Sequence, residues 1–143
     1  MDLKANKKEE AIREIGAQIS LTGKVKDIDR FIKDILERES LGSTGIGHKV
    51  AIPHARTDST EGFVIGFGRS LKGIDFAALD DEPVNCIFLM GANTAELNLY
   101  LRLLAELSKL LMQNAFRRAL QEAKTPEDVI ATFKKFEMDQ TER

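Results

Sequence analysis

The chain has 143 residues, 43% of them hydrophobic and 31% charged, the balance of one soluble globular domain long enough to bury a core. Lys plus Arg total 21 against 23 Asp plus Glu, a net charge of -2, which excludes general nucleic-acid binding, since that needs a basic surplus or a concentrated basic face. The lone Cys86 excludes an intrachain disulfide and points to a reducing cytoplasm; no apolar run is long enough to span a membrane, and the charged start MDLKANKKEE lacks a signal-peptide core. The expectation is one cytoplasmic domain over residues 1–143, with no direct membrane insertion.

The first predicted element is a helix from Asn6 to Leu21, with Ala11, Ile12, Ile15 and Ile19 at the three-four spacing of one buried stripe, stopped by Gly23. A second helix starts from Asp27 as N-cap, carries Phe31, Ile32, Ile35 and Leu36 as its apolar face, and brings Arg38 and Glu39 onto its last turn. Three strands are predicted next. Lys49 to Ala55 is the first, and Gly62 to Ser70 is the second, with Phe63, Ile65 and Phe67 on one face. Pro83 to Gly91 is the third, a continuous apolar run that reads as a central strand covered on both faces. Gly73 to Phe76 is predicted as a short edge strand.

The remainder is helical. Ala95 to Met112 places Leu97, Leu101, Leu104 and Leu111 along its buried face, with Leu103, Leu107 and Leu110 widening it; Asn114 caps a short helix bearing Phe116, Ala119, Leu120 and Ala123. Thr125-Pro126-Glu127-Asp128 is a helix start: a threonine cap, proline at the first helical position, then acids in the first turn, with Val129, Ile130 and Phe133 buried behind them. Helix, helix, a block of strands, then helices describes an α/β fold: a single-domain mixed β-sheet with helices packed on both faces.

One segment does not fit this regular patterning. Glu37 to Arg56, ERESLGSTGIGHKVAIPHAR, packs three glycines, two histidines, two arginines and a proline between patterned elements, the signature of a loop that carries chemistry. His54 closes the run Val50-Ala51-Ile52-Pro53. Pro53 has no backbone donor and biases Ile52 toward an extended conformation, so His54 belongs at the end of a buried strand about to leave its ladder. A histidine so placed is either a nucleophile or a buried or capping structural residue, and the residues alone leave both readings open. Arg38 is either a phosphate-clamping fork or a cation answering the negative end of its helix dipole. Ser43 and Thr44 can bind an anion with their hydroxyls or make turn hydrogen bonds. Two rivals fail. Gly42 to Lys49 begins like a P-loop, but His48 stands where lysine is needed and Val50 where a hydroxyl is needed, and a strand follows the loop instead of preceding it. His48, His54, Cys86 and Asp58 have no zinc-ligand spacing. Cys86 reads as a small buried hydrophobe.

The ordered run Arg38-Glu39, Gly42-Ser43-Thr44-Gly45-Ile46-Gly47, Val50-Ala51-Ile52-Pro53-His54 closely resembles the phosphohistidine signature of type-2 IIA proteins, the fructose/mannitol and nitrogen-regulatory IIA components of the bacterial phosphoenolpyruvate-dependent sugar phosphotransferase system. The resemblance implies the same α/β sandwich. It makes His54 the phosphorylated residue and Arg38 its stabiliser, with Ser43 and Thr44 as candidate supporting residues. Acidic Glu39 cannot itself stabilise phosphate and would orient Arg38 or a loop amide, or be merely solvated; His48 is a further candidate at a position where the motif demands no histidine. The protein would then take a phosphoryl group from the phosphocarrier protein HPr and pass it to a cysteine or histidine of a IIB partner for sugar uptake. Alternatively, it would be a nitrogen-IIA-like module whose phosphorylation state controls binding to partner proteins. No metal or cofactor is implied. One departure stands out. These proteins commonly carry a second histidine early in the helix after the central strand, and Tyr100 occupies that position here, within Leu99-Tyr100-Leu101-Arg102-Leu103-Leu104-Ala105. Tyr100 is therefore expected to face the site and to replace part of what an imidazole would do.

Overall fold

The computed structural model describes residues 2–141, with side chains as far as Phe136. Two compact units divide the chain, Asp2–Tyr100 and the segment from Leu101 onward.

The first unit opens with α1 (Lys8–Ser20) and α2 (Ile28–Leu41). Their buried residues are those that the spacing predicts: Ala11, Ile12, Ile15 and Ile19 on α1, and Phe31, Ile32 and Ile35 on α2. Asp27 caps α2 by accepting the Arg30 amide at 3.2 Å, and Gly23 follows α1 at a φ of +79°, the left-handed conformation that glycine tolerates best. Five strands follow: β1 (Gly45–Gly47), β2 (Val50–Ala51), β3 (His54–Arg56), β4 (Phe63–Ile74) and β5 (Val84–Ala92). The sheet is mixed. β2 and β3 run parallel to β5, while β4 is antiparallel to β5 and β1 is antiparallel to β2.

β5 is the spine, buried along almost its whole length, as its apolar run predicts. Ile87 and Leu89 join Ile12, Ile15, Phe31, Ile35 and Val64 in one core beneath α1 and α2. Alternation turns Phe88 the other way, where it meets Phe67 at a ring separation of 4.9 Å.

Three strand expectations are corrected. The single strand expected from Lys49 to Ala55 is two, β2 and β3, broken at Ile52-Pro53, yet the register on β5 is the same on both sides of the break (Val50 opposite Cys86, His54 opposite Met90). The proline withholds one donor and the chain rejoins the same line. The glycine-rich loop contains β1, joined to β2 by a two-residue turn in which His48 and Lys49 have φ of 55° and 65°, the positive values that such tight hairpins require. The short edge strand expected at Gly73 to Phe76 is instead the irregular end of β4, whose register on β5 shifts between Arg69 and Ile74.

α3 (Leu97–Leu111) begins in the first unit and continues into the second, which also holds α4 (Asn114–Glu122) and α5 (Pro126–Thr141). The buried face of α3 is also corrected: Leu97 and Leu101 are exposed, whereas Tyr100, Leu107, Leu110 and Leu111 are buried. Asn114 is the first residue of α4 rather than its cap, and Gln113 holds the cap position. The start of α5 is as expected, but behind it Val129 is buried whereas Ile130 is exposed. The Thr125 hydroxyl accepts the Asp128 amide at 3.1 Å, and the Asp128 carboxylate accepts the amides of Lys124 and Thr125. In this second unit, Phe116 is packed edge-on by Phe133 and Phe136 at 5.1 and 5.3 Å.

α1 reaches the sheet only because β4 carries glycine where the helix crosses it. A β-carbon on Gly66 would stand 2.8 Å from Ile15 and Ile19 side-chain atoms, well inside van der Waals contact. Gly66→Ala is expected to cost about 1–3 kcal/mol by overpacking, read as a lower urea midpoint at unchanged m-value.

Candidate active site

The break at Pro53 creates the local geometry of the site. His54 is the first residue of β3 and is half-buried, and its Nδ1 lies 2.5 Å from the carbonyl oxygen of Ile52. A carbonyl can only accept, so Nδ1 carries the proton and Nε2 keeps its lone pair. Burial, the largest influence, pushes the His54 pKa down, and the nearby Arg38 charge pushes it the same way; the bond to Ile52 and the charge of Glu39 act in the opposite sense, and the net shift is downward. The imidazole is therefore neutral and nucleophilic at pH 7.

His54 opens onto a cavity of about 750 Å³. Arg38 and Tyr100 line it as well. Arg38 stands on the last turn of α2 and donates from Nη1 to the Gly42 carbonyl at 3.0 Å, so it closes the helix end and borders the cavity at once. Both bland and chemical readings of Arg38 are thus compatible with its position. Tyr100 is 7% exposed, and its ring lies 6.0 Å from the His54 ring at 47°. Tyr100 is thus on the buried side of α3, whereas Leu97 and Leu101, expected there, are exposed. Burial raises the Tyr100 pKa, with Arg38 and Arg56 pulling the other way, so the phenol stays neutral.

The other candidates lie away from the cavity lining. Glu39 is buried and turned from it, and its carboxylate accepts the Thr44 amide at 2.9 Å and the Thr44 hydroxyl at 2.5 Å, with Lys8 at 3.6 Å. These contacts describe a residue that orients a loop amide. Thr44 is buried in that same bond. Ser43 donates to the Phe76 carbonyl and accepts the Gly45 amide at 3.0 Å, an ordinary turn arrangement. His48 is exposed on the β1–β2 turn. Cys86 is buried, and burial pushes its thiol up to about 11. Among the described residues no group of three or more His, Cys, Asp or Glu side chains could hold a metal, and no helix is long and apolar enough to cross a membrane.

Several lining residues escaped the sequence reading. Arg30 and Asp34 precede Arg38 on α2 at steps of four, so one helical face carries all three, a periodicity that could have revealed them. Arg56 follows His54 by two residues and leaves β3 on the same face, the signal that strand alternation offers. Thr57 donates to the Asp34 carboxylate at 2.6 Å and its amide donates to the Ala92 carbonyl at 2.9 Å, pinning α2 beside the end of β3.

Comparison with known proteins gives a consistent result. The family described as "Phosphoenolpyruvate-dependent sugar phosphotransferase system, EIIA 2" matches residues 1–136. A fructose-specific EIIABC component of Bacillus subtilis is 38% identical over 130 residues; these cover 91% of the chain but only a fifth (20%) of the Bacillus protein's length. A fructose-specific EIIA component of Haloferax volcanii is 39% identical, with 76% of the chain and 73% of that protein covered. Among solved structures, the nitrogen regulatory protein IIA-Ntr of Neisseria meningitidis superposes with a TM-score of 0.82 at 28% identity, covering 92% of this chain and 90% of that one.

In a histidine-detected NMR titration, the midpoint of His54 is expected below the ordinary histidine value of about 6.5. Between that depressed midpoint and 6.5 the unfolded chain binds a proton that the folded one does not. Folding stability contributed by His54 therefore rises with pH through this window and falls as it is crossed downward.

Proposed function

Because the chain belongs to the EIIA type-2 family of the phosphoenolpyruvate-dependent sugar phosphotransferase system, we propose that it is a phosphoryl carrier that accepts a phosphoryl group from phosphorylated HPr on His54 and passes it to a IIB partner for sugar uptake. The observation that carries this reading is the His54 ring itself: Nδ1–H is held by Ile52, and Nε2 is left with its lone pair beside Arg38.

In the proposed step, Nε2 attacks phosphorus as the bond from phosphorus to the donor's imidazole breaks, and the electron pair of that bond returns to the donor. No proton has to leave His54, because Nδ1 keeps its own. The phosphoryl group is metaphosphate-like in transit, so catalysis consists of alignment and charge stabilisation. Arg38 supplies a planar fork to the phosphoryl oxygens, with one of its donors already fixed on Gly42. Tyr100 supplies a neutral hydroxyl and a wall against the imidazole. Delivery to the cysteine or histidine of a IIB partner is the same displacement in the opposite direction. Glu39 and Thr44 act at one remove, holding the loop that follows Arg38.

The likeness to the Neisseria IIA-Ntr favours a second reading, in which the phosphorylation state of His54 selects protein partners and no sugar is involved. A phosphoryl group adds roughly -1.5 to -2 charge at pH 7, enough to remake the surface around an open cavity. Sugar phosphorylation reconstituted with candidate IIB proteins separates the two.

Incubation with phosphoenolpyruvate, enzyme I and HPr is expected to add one phosphoryl mass, seen by intact mass under alkaline conditions, since phosphohistidine is acid-labile. His54→Gln should lose the addition and stay folded, whereas His48→Gln should retain it; unimpaired phosphorylation of the His54 variant defeats the assignment. In the same assay Arg38→Lys should slow transfer by about ten- to a hundredfold, the worth of one charge-assisted contact made in the transition state, and Tyr100→Phe should slow it only a few-fold.

A further inference from the structure

We propose that Arg56 is a second guanidinium of the phosphoryl site, which folds over the phosphoryl group carried by His54 during transfer. The proposal rests on the phosphocarrier reading above.

Arg56 follows His54 by two residues on β3, so both side chains leave the same face of the strand, with Cα atoms about 7 Å apart. Arg56 lines the cavity that His54, Arg38 and Tyr100 also line. The charges of both Arg38 and Arg56 act on the Tyr100 phenol, and the Tyr100 ring stands 6.0 Å from that of His54. The two guanidinium groups thus converge on a residue that neighbours the nucleophile.

The charged neighbours of Arg56 are engaged elsewhere. Asp34 takes the Thr57 hydroxyl and pairs with Arg30 at 3.8 Å, and Asp58 accepts from Thr94. Arg38 has one donor committed to Gly42. Among the described residues no hydrogen bond or ion pair holds the Arg56 guanidinium, and the residue is exposed. A long cation on a fixed strand, with no partner to leave, can bend inward without breaking anything.

The charge balance gives it something to do. A phosphoryl group on Nε2 carries roughly -1.5 to -2 at pH 7. Arg38 brings one positive charge to the phosphoryl oxygens and Tyr100 none, so about a third to a half of the phosphoryl charge has no guanidinium opposite it. In the transition state that charge is spread over three equatorial oxygens, and a single bidentate fork engages two of them. Arg56 reaches the third from the strand side, opposite α2. Its proton stays on the guanidinium throughout, and no bond to Arg56 forms or breaks.

The test compares wild type with Arg56→Gln and Arg56→Lys, after thermal melts establish that all three fold. Transfer from phosphorylated HPr is followed at varied donor concentration. The expected result for Arg56→Gln is a kcat about tenfold lower with KM within about twofold, partly restored in Arg56→Lys. Phosphoramidate, a small chemical donor, then loads His54 independently of HPr, and ³¹P NMR follows the phosphoryl titration. Loss of a guanidinium contact should move that titration to higher pH in Arg56→Gln, an effect that neither a docking role nor a structural role produces. A raised KM with unchanged kcat and an unmoved ³¹P titration makes Arg56 a docking residue and overturns the proposal. So does a variant indistinguishable from wild type. A wild-type chain that takes no phosphoryl group from either donor overturns the phosphocarrier reading, and this proposal with it.

Discussion

The hydrogen bond from the His54 Nδ1–H to the carbonyl of Ile52 links the tautomer of the cavity's histidine to an interruption in the protein's own sheet. Pro53 cannot donate to the ladder, so the strand line along β5 is broken for two residues and then resumes in the same register. Within that gap the Ile52 carbonyl faces the ring of the residue two places on. As a neutral hydrogen bond it is worth only about 0.5–1.5 kcal/mol to the fold. Its larger effect is on the tautomer. A proton on Nε2 instead would set the Nδ1 lone pair against the carbonyl lone pairs at 2.5 Å, and the nucleophile would be lost.

Arg38 and Glu39, adjacent on the last turn of α2, divide the work between them. The 100° step of the helix turns Glu39 inward and leaves Arg38 at the cavity. A buried carboxylate without partners would be costly, and Glu39 meets that cost with the Thr44 amide, the Thr44 hydroxyl and Lys8. The chain leaving α2 is thereby tied back to the helix's last turn through Thr44. Arg38 also holds the carbonyl of Gly42 in the same turn. The polar residues of the glycine-rich segment act mainly as architecture, and the charged and polar groups that line the cavity come mainly from α2 and β3.

How far the sequence revealed this depended on whether a residue's neighbours impose a period. α1, α2 and β5 were legible because buried and exposed positions alternate at 3.6 or run continuously apolar, and Thr125-Pro126 because a cap is a local matter. β1 was hidden: Gly45-Ile46-Gly47 has almost no side chains to pattern, and only its pairing with β2 makes it a strand. α3 misled because leucine lies on nearly every side of it, so Leu97 and Leu101 looked as buried as Leu107. His54 and Arg38 were found through an ordered motif and Tyr100 as a departure from the family's pattern, and the three share one cavity. Ser43 and Thr44 could not be told apart from anion ligands, since a hydroxyl in a loop looks the same whether a carboxylate, a carbonyl or a ligand receives it. Arg56 and Asp34 announced themselves only by strand and helix spacing relative to His54 and Arg38.

The parallel pairing of β2 and β3 with β5 has a consequence for when the protein becomes competent during its own folding. β4 and β5 are neighbours in sequence and can zip together from their connecting turn, whereas His54 finds its place only when a segment thirty-six residues upstream of Met90 closes onto the far side of β5. Such closure carries a loop-entropy cost that few local contacts offset in advance. Helices can form early in such a chain, but the ring and α2 come into alignment only when this long-range pairing forms. A nascent or partly opened chain therefore presents a histidine with no fixed tautomer and no cavity around it, and the capacity to carry charge chemistry arrives together with the native state.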